Sequence, residues 1–414
     1  MCHPKDGNDR STTMPSPPVP AIEGVGSRIE EIRLLRGYSL RELGARAHVS
    51  AAQISRIEKG KRYASPSIVA AIARALSVNV SVLHGQPYIH MIQQDQLDGL
   101  LSPIASALDD WDIAPDEDDP PPRPLSVLEA EVRALDDKRE AGQQFELAEA
   151  LPALISEVNH ATLLHDRPGR DRERAYWLQA ELGRTTYVAT RRLGFVDLAR
   201  HALGRMSAAA PHSGDPRQVA IERWDRARLL GDGARHDKGY RLVRQALRDL
   251  DDDRTTATRA VRGALYLEAS VLARRAGAAG AVPDLLGAAG ELAEQTGELD
   301  DYGLVFGPAN VSIHTMSVAA DQEEHGEALR VAEALRLPDD YPKARAASYW
   351  ASRARAEAWT ARPEAALRSL VTAREVASQQ TRYHPGVHET VGTLLRARRA
   401  PSDELREYAA WCGV

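Results

Sequence analysis

Along most of the chain apolar residues recur every three or four positions, the spacing that lays an apolar stripe on one face of an α-helix. The first stripe is Ile29, Ile32 and Leu35, which predicts a helix from about Ser27 with Arg28, Arg33 and Arg36 outward and Gly37 ending it. Ser39 followed by Glu42 three residues later is the signature of a reciprocal N-terminal cap, and Ser50 with Gln53 repeats it. Two more short helices are therefore expected, with His48 and Val49 making the sharp turn between them. A fourth opens with Ser65 as cap and Pro66 in its first turn, then buries Ile68, Val69, Ile72 and Leu76. Leu43, Ala47, Val49, Ile54 and Ile57 are placed to pack the second helix on the third. Five short helices are expected within residues 26–88.

Beyond this head the pattern changes twice. Ile92, Leu97, Leu100, Leu101, Ile104 and Leu108 predict a linking helix that runs into the acidic, proline-rich stretch 109–124, which cannot propagate a helix and reads as an exposed linker. From 125 to 414 the chain is almost entirely amphipathic helix. Five helical hairpins can be drawn there, and matching points in their second helices (Asp197, Gly239, Ala281, Glu327 and Glu364) are 42, 42, 46 and 37 residues apart. One such hairpin cannot bury its own apolar face, so the units are expected to stack as an α-solenoid. Residues 1–25, rich in Ser, Thr and Pro, read as a disordered tail.

Composition agrees and adds a function class. Hydrophobic residues are 43% of the chain, mostly Ala and Leu, and Phe occurs only 3 times, which leans all-helical. Charge is uneven. Residues 26–88 carry 10 Lys and Arg against 4 Asp and Glu, whereas the whole chain has a net charge of −6, which leaves −11 on residues 89–414. A small basic head on a large acidic body suggests that only the head meets a polyanion. With no run near the ~20 apolar residues of a membrane span, no export signal, and two cysteines, Cys2 and Cys412, at opposite ends, a cytoplasmic protein without membrane contact is expected.

The head resembles helix-turn-helix domains of the phage-repressor (XRE) kind, whose ISRIEKGKR pattern is matched at residues 54–62. The resemblance implies that the third helix enters the major groove of double-stranded DNA, presenting Ser50, Ala51, Ala52, Gln53 and Arg56. Arg can grip guanine with two hydrogen bonds and Gln can pair with adenine, so Arg56 is the leading base reader and Gln53 the second. Arg41, Lys59, Lys61 and Arg62 are expected on phosphates, setting register. The head departs from the family pattern at Leu40, where Gln is frequent, at Gly44, which costs roughly 1 kcal/mol of helix propensity relative to Ala, and at His48 in place of Gly. His tolerates positive φ, so the turn is expected to survive.

The segment 359–370 and its partners resemble tetratricopeptide (TPR) repeats. Together with the head they resemble bacterial XRE-type regulators that carry a TPR-like sensor domain, to which the segments 306–314 and 379–385 also correspond. That resemblance implies homodimerisation and a concave groove for a small-molecule or peptide effector. In peptide-sensing regulators of the Rgg/PlcR kind an asparagine on such a helix grips the ligand backbone. Asn310 is the candidate counterpart, though no register aligns it, with His314 one turn on. Arg382, Tyr383, Tyr266, Tyr302 and Trp224 are further candidates for that groove. Each polar candidate has a plainer reading as a core or surface partner, and each aromatic as core. A scaffold that binds a protein partner is the alternative role. No phosphate-cradling GxxxxGK[ST], dinucleotide turn, zinc-ligand spacing or catalytic triad stands out, so no enzyme, cofactor or metal is expected.

Overall fold

In the computed structural model, residues 24–86, 94–116, 118–397 and 400–414 are described (backbone only for 94–98). The predicted tail at 1–25 therefore lies almost wholly outside the described residues, as do Ile92 and the end of the predicted head. The described residues contain no strand; one isolated antiparallel bridge joins Leu299 to Phe306. No described helix is long and apolar enough to cross a membrane.

The head is five helices, α1 Val25–Leu35, α2 Leu40–Ala47, α3 Ala51–Glu58, α4 Pro66–Leu76 and α5 Val80–Leu83. Its caps follow the sequence signals. Ser39 Oγ accepts from the Glu42 amide at 3.2 Å while the Ser39 amide donates to Glu42 Oε2 at 2.7 Å, so both halves of the α2 cap form. At α3 only one half does, the Gln53 amide donating to Ser50 Oγ at 3.2 Å. Ser65 precedes α4 as expected, yet its hydroxyl makes no cap bond and pairs with Ser67 Oγ instead. His48 sits in the left-handed region at φ 55°, ψ 39°, which turns the chain from α2 into α3.

Two assignments on α1 are corrected. Leu35 is 78% exposed, and Arg33 is buried. The buried stripe is Val25, Ile29 and Arg33, a strict i, i+4, i+8 series. Arg33 tolerates the interior because its guanidinium forms a two-pronged pair with Glu58 of α3, at 2.7 and 3.0 Å, and donates to the Tyr38 carbonyl at 3.0 Å. A polar residue thus occupies the position an apolar one was expected to take, and Leu35 is displaced to solvent.

The linking helix is α6, Gln94–Asp109, and it does more than link. Ile104 and Leu108 are buried in the same apolar cluster as the first helices of the array. The described residues after it hold no helix until α7, and Ile113 among them is exposed. Array hairpins follow: α7 Leu125–Ala141 with α8 Gln144–Leu164, α9 Arg170–Leu193 with α10 Val196–Ala209, α11 Pro216–Asp232 with α12 His236–Asp249, and α13 Thr256–Arg275 with α14 Val282–Thr296. Next come α15 Pro308–Asp321 with α16 His325–Ala334 and α17 Lys343–Trp359 with α18 Pro363–Val376. The last five of these hairpins coincide with the five read from the sequence. Close approach inside a hairpin depends on small residues; at Gly183 of α9 a Cβ would stand 2.9 Å from the Met206 amide of α10. Three helices end the chain, α19 Ser378–Arg382, α20 Pro385–Arg396 and α21 Asp403–Cys412.

The array curls back on itself. Gln379 of α19 donates to both Glu146 oxygens of α8, at 3.1 and 2.9 Å, and accepts from the Phe145 amide at 3.2 Å. The Phe145 and Tyr383 rings meet edge to face, 5.6 Å between centroids. The segment 379–385 is therefore a clasp between the last and first hairpins. The head docks against the same body through Tyr63, whose hydroxyl accepts from Arg355 Nη1 at 2.8 Å and whose ring meets His325 and Trp359 edge-on.

Candidate functional site

Helix α3 owes its position to three contacts. Ile54 and Ile57 are buried against Leu43 and Ala47 of α2, the Arg33–Glu58 pair ties its end to α1, and the His48 turn sets its angle to α2. Gly44 sits at the closest point of this corner. A Cβ there would lie 2.6 Å from the Val49 carbonyl oxygen, a backbone atom that cannot swing away. The propensity lost to glycine is thus the condition for the turn. Gly44→Ala is expected to destabilise the head by about 1–3 kcal/mol through overpacking, outweighing the propensity gained; a raised melting temperature in a thermal-unfolding scan would contradict this.

With α3 held so, Ser50, Ala52 and Arg56 are exposed and Ala51 and Gln53 are half-buried on its outer face. Arg41 of α2 and Lys59 and Lys61 beyond α3 are exposed as well. All eight are at least partly exposed, and four of them, Arg41, Arg56, Lys59 and Lys61, are cationic. Arg62 is the exception among the expected phosphate holders. Its Nη2 pairs with Glu323 of the array at 2.6 Å, so it ties the head down in this structure.

The second candidate set scatters. A chamber of about 550 Å³ lies between the head and the array. Trp224 and Tyr383 are on its wall; Asn310, His314, Tyr266, Tyr302 and Arg382 are not. Asn310 is buried, and its carbonyl bonds His314 Nδ1 at 2.9 Å; burial pushes that imidazole down to about 4, so it is neutral. Tyr266 packs in the cluster around Phe306. The Tyr302 hydroxyl donates to Asp215, and Arg382 lies 5.9 Å from the Tyr383 ring.

The sequence reading missed what dominates the wall. Eight arginines line the chamber against three carboxylates, Glu140, Asp225 and Asp232. Arg184 is fully enclosed and bonds Asp225 at 3.0 Å, and Arg191 bonds Asp232 at 2.6 and 3.0 Å. Asp321 pairs with Arg275 at 2.7 Å from behind. Burial and the neighbouring Asp300 push the Glu140 carboxyl up to about 8, so at neutral pH it is largely uncharged. A cationic interior thus lies inside an array whose net charge is acidic. The available signal was α9 itself, whose sequence sets Glu181, Arg184, Arg191 and Arg192 among its apolar residues.

Comparison with known proteins bears on the head. Residues 29–83, from Ile29 of α1 to Leu83 at the end of α5, match the family model described as Helix-turn-helix. The head is a helix-turn-helix domain of the XRE type, the DNA-binding class of module, followed by helical hairpins. No curated protein matches the chain. Among solved structures it is similar to Bacillus thuringiensis PlcR in complex with the peptide PapR7 and DNA, at 14% identity, covering 75% of this chain and 95% of that one, with a TM-score of 0.31.

Proposed function

We propose that this chain is a sequence-specific, non-enzymatic transcription regulator that works in the cytoplasm. It binds an inverted repeat as a homodimer and responds to an effector held by its helical array. The observation that carries this reading is the open face of α3. Arg56, Gln53 and Ser50 lie on it with Arg41, Lys59 and Lys61 around them, while a different face of the head is packed on the array. One head buries too little surface for selective binding, so two heads on half-sites roughly 34–36 Å apart are required. An effector that favours one spacing of the heads would then set DNA affinity.

The test is selection of genomic fragments by the purified chain, followed by gel-shift titration with Arg56→Ala. The variant is expected to lose about tenfold to a hundredfold affinity for the selected site, the value of one bidentate base contact, while weak salt-sensitive binding to unrelated DNA persists. Unchanged discrimination between sites would remove Arg56 from the interface. No salt-sensitive preference for any fragment by the parent chain would remove the regulator reading.

A further inference from the structure

Two arginines on the chamber wall differ from the rest. Arg184, Arg191 and Arg275 each bond a carboxylate. Arg192 and Arg345 have none among the described residues: Arg192 donates only to the Arg139 carbonyl at 3.3 Å, and Arg345 only to the Leu304 carbonyl at 3.4 Å. Both are enclosed by protein yet retain accessible surface, because what they face is the chamber. Each is disfavoured by its surroundings. Burial, then the nearby guanidinium of Arg345, pushes Arg192 down to about 9; burial, then Arg228, pushes Arg345 down to about 10.

A chain gains no stability by holding two like charges together in a closed space without counter-charges. Further polar atoms on the same wall lack partners. Gln144 is 1% exposed, and neither its amide oxygen nor its nitrogen is hydrogen-bonded. Trp224 Nε1 and both ring nitrogens of His236 are likewise buried and unbonded. Gln144, Trp224 and His236 line the chamber, but these particular atoms are closed off from its open space, so the two arginines carry the case for a ligand. Planar guanidiniums match phosphate and carboxylate oxygens in two-pronged geometry. The volume falls in the ~300–1,000 Å³ range of small-molecule sites.

We infer that this chamber is a binding site for a small oxyanion-bearing molecule, its phosphate or carboxylate group seated between Arg192 and Arg345. This rests on the reading of the array as the effector-binding body, and names the chemical class of that effector. Asn79, Ser81 and His84 of the head also line the chamber, so one bound molecule touches both bodies.

The experiment is thermal unfolding of the full chain in pyrophosphate, in citrate, and in sodium chloride at matched ionic strength. It is run on the parent and on the Arg192→Gln/Arg345→Gln double variant. In the parent, an anion at a hundredfold excess over its Kd is expected to raise Tm by about 4 °C or more, and the double variant is expected to lose that shift. A response to pyrophosphate alone identifies a phosphate ligand; a response to citrate alone identifies a carboxylate. Without anion the double variant is expected to melt at or above the parent temperature, because two enclosed charges that bond no carboxylate have gone.

A lower melting point together with a retained anion shift would mean that the two arginines are structural and that the anion sits elsewhere, on the DNA-reading face for example. That result, or no shift of the parent in either anion, overturns the inference. Gel-shift titration of the same samples keeps the two readings apart. An anion shift in a chain that binds no DNA leaves the chamber standing and removes the regulator; DNA binding with no anion shift does the reverse.

Discussion

Glu58→Ala is expected to abolish DNA binding without touching a base or a phosphate. Glu58 and Arg33 have side chains only 4% and 9% exposed and meet through two hydrogen bonds at 2.7 and 3.0 Å, joining the end of α3 to α1. The pair holds the Arg33 guanidinium even more firmly protonated than usual, with the Glu58 hydrogen bond the largest cause. Removing the carboxylate leaves that largely buried charge only the Tyr38 carbonyl and, at 4.0 Å, the half-exposed Glu30 carboxylate, which costs about 3–5 kcal/mol. A domain of some 60 residues has only about 3–9 kcal/mol in total, so most head molecules would unfold or lose the fixed angle of α3. A thermal scan of the full chain should show the head melting early while the array transition stays in place. Gel shifts should show loss of both specific and non-specific binding. Glu58→Gln keeps the volume and one acceptor and is expected to fall between parent and alanine variant. Arg56→Ala, by contrast, should leave the melting curve unchanged, which separates a residue that reads DNA from one that holds the reader. An alanine variant at 58 with parental melting would mean that the Arg33–Glu58 pair contributes nothing to the corner.

What could be read from the sequence follows from how local each signal is. The Ser39–Glu42 cap, the left-handed His48 and the five hairpins each depend on residues within one or two turns of each other, and all appear where expected. The placement of Arg33 inside and Leu35 outside depends on Glu58, 25 residues away, and no helical-periodicity argument contains that partner. Gly44 looked like a weak point in a helix, but its reason is a carbonyl in the following turn. The same limit is sharper for the interior. Of the aromatic candidates Trp224 and Tyr383 reach the chamber while Tyr266 and Tyr302 do not, and the helix carrying Asn310 and His314 does not turn those side chains into it. The arginines that dominate the wall are spread over residues 139–345 and converge only because the array curls until α19 meets α8. Superhelical curvature sums many small rotations, and a repeat pattern with spacings from 37 to 46 residues does not fix them.

The second large effect is expected at Asp225, where curvature and charge meet. Asp225 on α11 is fully buried, and its Oδ2 accepts from Arg184 Nε of α9 at 3.0 Å, so the pair joins neighbouring hairpins. Arg184 also donates to the Tyr302 carbonyl and lies 5.8 Å from the Trp224 ring, while Arg228 stands 3.6 Å from the other carboxylate oxygen. Asp225→Ala would strip the nearest counter-charge from two guanidiniums at once, in a chamber already short of carboxylates, and is expected to cost about 3–5 kcal/mol. Denaturant unfolding of the full chain should register this as an earlier array transition. Asp225→Asn retains the acceptor and the volume and should cost less. The double change Arg184→Met with Asp225→Leu should recover much of the loss, since replacing both partners of a buried pair by apolar groups is often neutral. This pattern separates charge from packing. If the electrostatic account holds, pyrophosphate should stabilise Asp225→Ala more than the parent, because the anion then supplies the charge that the aspartate gave. Equal stabilisation of the two, or an alanine variant as stable as the asparagine one, would show that Asp225 acts through shape alone.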